Sequence, residues 1–210
     1  MNSEYKAVHD YMAELRLRPV EDPRKFVSRM QSVMGMSKAG KLIDALNRRA
    51  KAHEKGDSSC DELIYELKNA DLLTSTTMTG ATEGETLKSI FTWVCDNREY
   101  FGENILEVGC ENGIITCFLA RQFPEAKITA VDRCAPAIEV AKLLAQRLNV
   151  TNAEFICCEL SELPRRKYDT LLSSRVAHEN HALISSPAVK GVEAQAELFK
   201  GCFSESAYLL

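Results

Sequence analysis

Apolar residues recur every three or four positions through the first part of the chain, which is the spacing of amphipathic helices. Val8, Tyr11 and Leu15 give one clear example. The pattern predicts a series of helices from residue 1 to about residue 71. It then predicts a loop at 73–83, where Thr, Ser and Gly are frequent.

A different pattern begins near residue 104. Short apolar, β-branched runs typical of buried parallel strands alternate there with stretches of helical spacing. The runs cover residues 105–108, 127–132, 153–159, 168–174 and the start of a fifth at 206–210. This alternation predicts an α/β fold with a doubly wound, mostly parallel sheet, preceded by an α-helical segment.

The predicted domain organisation is a helical segment at 1–82 and an α/β domain at 83–210. A chain of 210 residues is typical of one domain, or of one domain with an appendage. The strand pattern stops within the fifth strand, so we expect the domain to be incomplete at its C-terminal side. An apolar sheet edge would then need cover, from a longer chain or from association.

The first strand is followed by a glycine turn that contains two acidic residues nearby. Gly109 and Gly113 flank Glu111, and Glu107 lies two residues before Gly109. A dinucleotide site would have glycine at the middle position, and carboxylates there would repel a pyrophosphate. They suit a ligand with an ammonium and a sulfonium, so the loop favours S-adenosylmethionine (SAM) over NAD.

Residues Ile105–Gly113 resemble the first motif of class I SAM-dependent methyltransferases, an acidic residue followed by three glycines at alternate positions. Glu111 replaces the central glycine. The resemblance implies a Rossmann-like fold with SAM as cofactor. It also implies that Glu107 orients the loop and the amino-acid end of SAM, and that Gly109, Cys110 and Gly113 allow close approach of the backbone.

The resemblance extends to the ends of the next two strands. It implies that Asp132 binds the ribose, with Arg133 beside it, and that Glu159 and the backbone N–H of Leu160 contact the adenine. Two simpler interpretations remain open. Asp132 can cap the helix that begins near Ala135, and Glu159 can be a surface residue.

The fourth strand resembles the motif in which an aromatic residue and Asp open a strand whose far end faces the transferred methyl group. This places Ser174 near the cofactor and makes His178 the candidate general base, since an imidazole titrates near neutral pH. The alternative is that His178 shapes the pocket and moves no proton. His178 and His181 do not match H-E-x-x-H, so no metal site is predicted.

Eight cysteines occur without a C-x-x-C pair. Those that follow or interrupt strand and helix patterns are expected to be reduced and buried, which favours a cytoplasmic protein. They are Cys110, Cys117, Cys134, Cys157 and Cys158.

Charge and hydropathy limit the partners. The formal net charge of −4 gives no reason to expect a polyanion, and the basic cluster at 47–55 contains no aromatic residue. That cluster favours a solvated helix face over an RNA contact. Neither a signal peptide nor a run long enough to span a membrane is present.

The predicted function is a SAM-dependent methyltransferase that acts on a small molecule by in-line displacement. Segment 1–82 would serve as a lid or as a region that forms a homodimer. A degenerate, non-catalytic methyltransferase fold used for interaction is the main alternative, favoured by Glu111 and the missing strands. A nicotinamide-dependent oxidoreductase is a weaker one, because Glu107 and Glu111 disfavour pyrophosphate.

Overall fold

The computed structural model describes residues 3–159, 162–163, 166–173 and 203–209, the last as backbone only. The chain forms two compact units, Met1–Cys95 and Asp96–Leu210. The boundary lies beyond the predicted division between residues 82 and 83, because the segment expected to be a loop is helical.

The first unit is helical. Its elements are α1 (Ser3–Glu14), α2 (Pro23–Met34), α3 (Met36–His53), α4 (Ser59–Lys68) and α5 (Leu72–Asp96). The apolar faces of α2, α3, α4 and α5 enclose a core cluster, as the helical spacing predicts. Its fully or almost fully buried members include Met30, Leu42, Ile64, Leu67 and Met78.

Helix α5 corrects the prediction of a loop at 73–83. Its hydroxyl groups bond within the helix: the Thr76 hydroxyl donates to the Leu72 carbonyl at 2.8 Å, and that of Thr82 to the Met78 carbonyl at 3.0 Å. Its glycines serve packing, since a Cβ on Gly80 would lie 2.7 Å from the Leu17 Cα. Residues that favour a loop by composition are therefore helical here because of their neighbours.

Helix α3 is also longer than the apolar pattern indicates. It continues through the basic cluster to His53. Acidic groups accompany the cluster: Arg48 pairs with Asp44 at 2.8 Å, and Asp61 contacts both Arg49 and His53. The positive charge of this face is thus partly balanced by its own neighbours.

The second unit is an α/β structure. Its strands are β1 (Asn104–Val108), β2 (Lys127–Asp132), β3 (Ala153–Cys157), β4 (Tyr168–Leu172) and β5 (Phe203–Leu209), in the sheet order β3-β2-β1-β4-β5 with every neighbouring pair parallel. Helices α6 (Ile114–Gln122) and α7 (Ala135–Arg147) connect the first three strands. The predicted α/β fold is confirmed.

Strand order reverses between β1 and β4, since the chain runs outward from β1 to β3 and then returns to the other side of β1. Ligands of open α/β sheets bind at such a point, outside the carboxyl ends of the strands. At the opposite end, Asp169 accepts hydrogen bonds from the backbone N–H and side-chain amide of Asn104, at 2.9 and 3.1 Å. This fixes β1 against β4 and leaves the carboxyl ends to the loops.

Among the described residues, no helix is both long and apolar enough to cross a membrane.

Candidate cofactor site

Three residues of the loop between β1 and α6 have a left-handed backbone conformation. Gly109, Glu111 and Gly113 have φ values of 74°, 44° and 73°. The backbone N–H groups of Gly109 and Cys110 both donate to the Val131 carbonyl, at 2.8 and 3.1 Å. The loop therefore turns sharply, as the glycine pattern predicts, and it also rests across the end of β2.

Close packing is a second reason for glycine at position 113, beside its left-handed φ. A Cβ there would lie 2.8 Å from the Ala141 Cβ and 2.9 Å from the Phe155 Cε1. Ala141 belongs to α7 and Phe155 to β3, so the start of α6 lies close to both elements. Glycine at this position brings the helix down onto the sheet, which positions the loop.

Asp132 ties the loop to the end of β2. One carboxylate oxygen accepts from the Glu111 backbone N–H at 2.8 Å, and the other accepts from the Cys134 N–H at 2.8 Å. The second bond forms a turn just before α7, whose N-cap is Cys134, so the simpler interpretation of Asp132 as the cap of this helix is replaced by a hydrogen bond to the residue that precedes the helix. A carboxylate has about four acceptor positions, so hydroxyl donors from a ligand can still be accepted.

Glu107 lies within β1, beneath the loop, and is 1% exposed. The Thr116 hydroxyl, in the first turn of α6, donates to its Oε2 at 2.5 Å. Its Oε1 is buried and has no hydrogen-bond partner among the described residues. Burial raises the pKa of Glu107 to about 8, the charge of Asp132 also raises it, and the Thr116 hydrogen bond opposes both.

The other predicted contacts at the ends of β2 and β3 are less enclosed. Arg133 is exposed, and its carbonyl accepts from the Cys157 thiol at 3.5 Å. Glu159 is exposed, and its backbone N–H donates to the Glu162 carboxylate at 3.2 Å. Both follow strands at the carboxyl edge that carries the glycine loop.

The prediction of buried cysteines is correct for Cys110 and Cys117 and wrong for Cys157, which is exposed; Cys134 and Cys158 are half-buried. Strand β3 has only partly buried or exposed side chains, so an apolar run there did not imply burial. Burial raises the pKa of Cys110, and nearby acidic groups raise it further, which makes this thiol a poor nucleophile.

Three predicted residues, Leu160, Ser174 and His178, lie outside the described residues. The same holds for His181. Within the described part of the chain, no group of three or more His, Cys, Asp or Glu residues could hold a metal ion.

Two contacts at the site were not expected from the sequence. Thr116 is the partner of Glu107, and Phe155 packs against a small cluster of Cys110, Ala130 and Ile138 beside the loop. A Thr in the first turn of a helix is common, so its presence after an acidic strand residue did not indicate the hydrogen bond between Thr116 and Glu107.

These residues fit SAM. The buried Glu107 carboxyl has an acceptor oxygen that the described protein does not use, which suits a ligand with an ammonium group. The left-handed conformation of the loop allows its backbone to approach a ligand at the carboxyl ends of the strands. The Asp132 carboxylate can accept hydrogen bonds from ligand hydroxyls. A pyrophosphate would instead meet the carboxylates of Glu111 and Asp132.

A family model described as a methyltransferase domain matches residues 101–205, half of the chain. The chain belongs to this methyltransferase family. The predicted class, a SAM-dependent methyltransferase, and the predicted cofactor are confirmed at the level of the family.

The individual relatives match parts of the chain. A malonyl-[acyl-carrier protein] O-methyltransferase from Acetivibrio thermocellus is 39% identical over 72 residues, 34% of this chain and 24% of that protein. A tRNA (guanine-N(7)-)-methyltransferase from Rubrobacter xylanophilus is 29% identical over 113 residues, 52% of this chain and 48% of that protein. The chain spans about a quarter of the length of the first curated relatives that it matches.

Among solved structures, the chain is similar to a SAM-dependent methyltransferase from Geobacter sulfurreducens in complex with S-adenosyl-L-homocysteine (SAH). The TM-score is 0.48 at 20% sequence identity, over 58% of this chain and 46% of that one.

Proposed function

We propose that this protein transfers the methyl group of SAM to a small-molecule acceptor by in-line displacement. The observation that carries the proposal is the arrangement of Glu107, the left-handed loop and Asp132 at the carboxyl ends of β1 and β2. Several of the similar proteins are malonyl-[acyl-carrier protein] O-methyltransferases, which favours an acceptor oxygen on a carboxylic acid.

Each residue of the site has a proposed task. The unused oxygen of Glu107 accepts a hydrogen bond from the amino group of the cofactor, and Asp132 accepts from the ribose hydroxyls. The backbone at Gly109 and Cys110 lies along the ligand, and Arg133 and Glu159 face the adenosine. SAM supplies an electrophilic methyl carbon on a positively charged sulfur.

Catalysis by this chain rests on alignment. The site would place the acceptor atom in line with the methyl carbon and exclude water from it. This removes most of the entropic barrier of such a transfer. An ionised carboxylic acid needs no general base, so His178 is required only for an acceptor that must lose a proton.

The net charge of −4 favours a small-molecule acceptor over an RNA acceptor. Some similar proteins modify ribosomal or transfer RNA. An acidic chain whose basic cluster at 47–55 is paired with Asp44 and Asp61 lacks the electrostatic attraction that RNA binding depends on.

The test is isothermal titration of the whole chain with SAM, with NAD as a competitor. We expect binding in the micromolar range, at least tenfold weaker binding in Asp132→Ala, and no competition by NAD. Glu125→Gln, in an exposed turn before β2, is the matched control and should bind as the wild type does. Circular dichroism checks that Asp132→Ala is folded, because this change also removes two backbone hydrogen bonds.

Methyl transfer is then measured with methyl-labelled SAM and a panel of carboxylic acids and their thioesters. Label in an ester would support the proposal. Tight SAM binding without transfer to any acceptor, RNA included, would favour the non-catalytic alternative, and displacement of SAM by NAD would favour an oxidoreductase.

A further inference from the structure

Glu111 occupies a backbone position that favours glycine. Its φ of 44° is left-handed, and it lies between Gly109 and Gly113, which have the same hand. A residue with a Cβ adopts this conformation at a cost that glycine avoids. The protein thus holds an acidic residue in the middle of the loop that is proposed to bind the cofactor.

Glu111 lies against the end of β2, and one oxygen of its carboxyl group, Oε1, is buried. Its backbone N–H donates to Asp132 at 2.8 Å. Burial raises the pKa of the Cys110 and Cys134 thiols, and the Glu111 charge adds to the rise at both. The hydrogen bond to Asp132 thus places Glu111 where the glycine loop meets the turn that follows β2, and the two pKa directions agree with this place.

The charge around this space is predominantly negative. Glu107, Glu111 and Asp132 lie on the two sides of the loop, whereas the sequence from 105 to 120 contains no Lys or Arg and Arg133 is the one basic residue between 128 and 141. Glu107 is protonated over much of the neutral range, because burial raises its pKa to about 8.

We propose that Glu111 makes the site distinguish SAM, with its cationic sulfur, from the neutral-sulfur product SAH. The two molecules differ by one methyl group and one positive charge. A fixed carboxylate within several ångströms lowers the free energy of the cationic ligand only. After allowance for screening by solvent at a half-buried site, we expect Glu111 to favour SAM about three- to tenfold.

This inference rests on the proposed function and deepens it. A methyltransferase that binds its product as tightly as its substrate is inhibited as SAH accumulates. Because Glu111 would make SAH bind more weakly than SAM, it would keep the site available for the next SAM molecule.

The test is the ratio of the SAH and SAM dissociation constants, measured by titration calorimetry on the full chain at low salt. In Glu111→Gln, which keeps the shape and removes the charge, the ratio should fall about three- to tenfold through weaker SAM binding. Glu111→Gly should lower it similarly while relaxing the backbone. Glu125→Gln should leave it unchanged, since that residue is exposed and distant in sequence from the loop.

A third ligand separates charge from the methyl group. Sinefungin has an amine-bearing carbon in place of the sulfonium, so it should follow SAM in every variant. An unchanged ratio in folded Glu111→Gln and Glu111→Gly proteins would overturn the inference and leave the proposed function standing. Failure of the wild type to bind either SAM or SAH would overturn both.

Discussion

At the scale of single residues, Glu107 shows how an acidic group can be held inside a core. It is almost completely buried, with one hydrogen bond from Thr116. A buried carboxyl with few donors is more easily kept in its neutral form, which is why burial is the largest cause of its raised pKa. The residue therefore makes folding sensitive to pH.

We predict that Glu107→Gln stabilises the protein more at pH 9 than at pH 5. Burial raises the pKa of Glu107 from an ordinary 4.5 to about 8. Between these values the folded chain keeps a proton that the unfolded chain loses, so stability falls as pH rises through this window. Gln has no such proton, and its advantage should grow to a few kcal/mol, about 5 at most.

Urea unfolding of both proteins at pH 5, 7 and 9 measures this effect. Glu103→Gln is the control, because Glu103 is exposed and only one residue before β1. A gain from Glu107→Gln that stays constant with pH would show that the carboxyl is ionised in the folded protein at every pH tested.

The residue scale also marks where the sequence stopped being informative. The acid–glycine pattern predicted Glu107, Gly109 and Asp132 because a sharp turn at a strand end constrains residue types strongly. The hydrogen bond from Thr116 and the unused oxygen of Glu107 depend on side-chain directions between two elements. No spacing rule specifies those directions.

At the scale of secondary-structure elements, glycine has two structural roles that composition alone does not distinguish. In the loop after β1 it supplies left-handed backbone, and the predicted turn is there. In α5, Gly80 and Gly84 give room for the segment Leu17–Pro19, and the predicted loop at 73–83 is wrong. Parallel strands were predictable because burial on both faces requires continuous apolar runs.

We predict opposite effects for two Gly→Ala changes in helices. A methyl group added to Gly40, in α3, would meet no neighbouring side chain or segment within 4 Å, so Gly40→Ala should stabilise by about 0.5–1 kcal/mol through helix propensity. Gly80→Ala should destabilise by about 1–3 kcal/mol, since its methyl would lie 2.7 Å from the Leu17 Cα, a backbone atom.

Chemical denaturation of both variants and the wild type provides the comparison. Each change adds the same methyl group to a helix of the first unit, so the pair controls for propensity. Equal stabilisation by both would mean that α5 and the segment around Leu17 are not in close contact.

At the scale of the whole molecule, thiol exposure gives a map that can be measured in the native protein. Cys157 is exposed and Cys134 and Cys158 are half-buried. The remaining described cysteines are buried: Cys60, Cys95, Cys110 and Cys117. Access to reagent should follow this order, because a thiol must be reached by solvent to react.

We predict that brief treatment with iodoacetamide labels Cys157 at least tenfold faster than Cys60 or Cys117, measured by peptide mass. SAM should slow the labelling of Cys157, because its thiol donates to the Arg133 carbonyl next to the proposed ribose contact. Cys157→Ser identifies the peptide. Labelling of Cys117 at the rate of Cys157 would contradict the packing of α6 against the sheet.

The two hydrogen bonds that Asp132 accepts limit which substitutions evolution can tolerate at this position. The same carboxylate that is proposed to hold the ribose also closes the turn at Glu111 and the turn at Cys134. A lineage that abandoned methyl transfer would still be penalised for losing Asp132, since two turns would loosen with it. Loss of Asp132 would therefore be selected against through folding as well as through cofactor binding, and a substitution there has to be assayed for stability and for SAM binding separately.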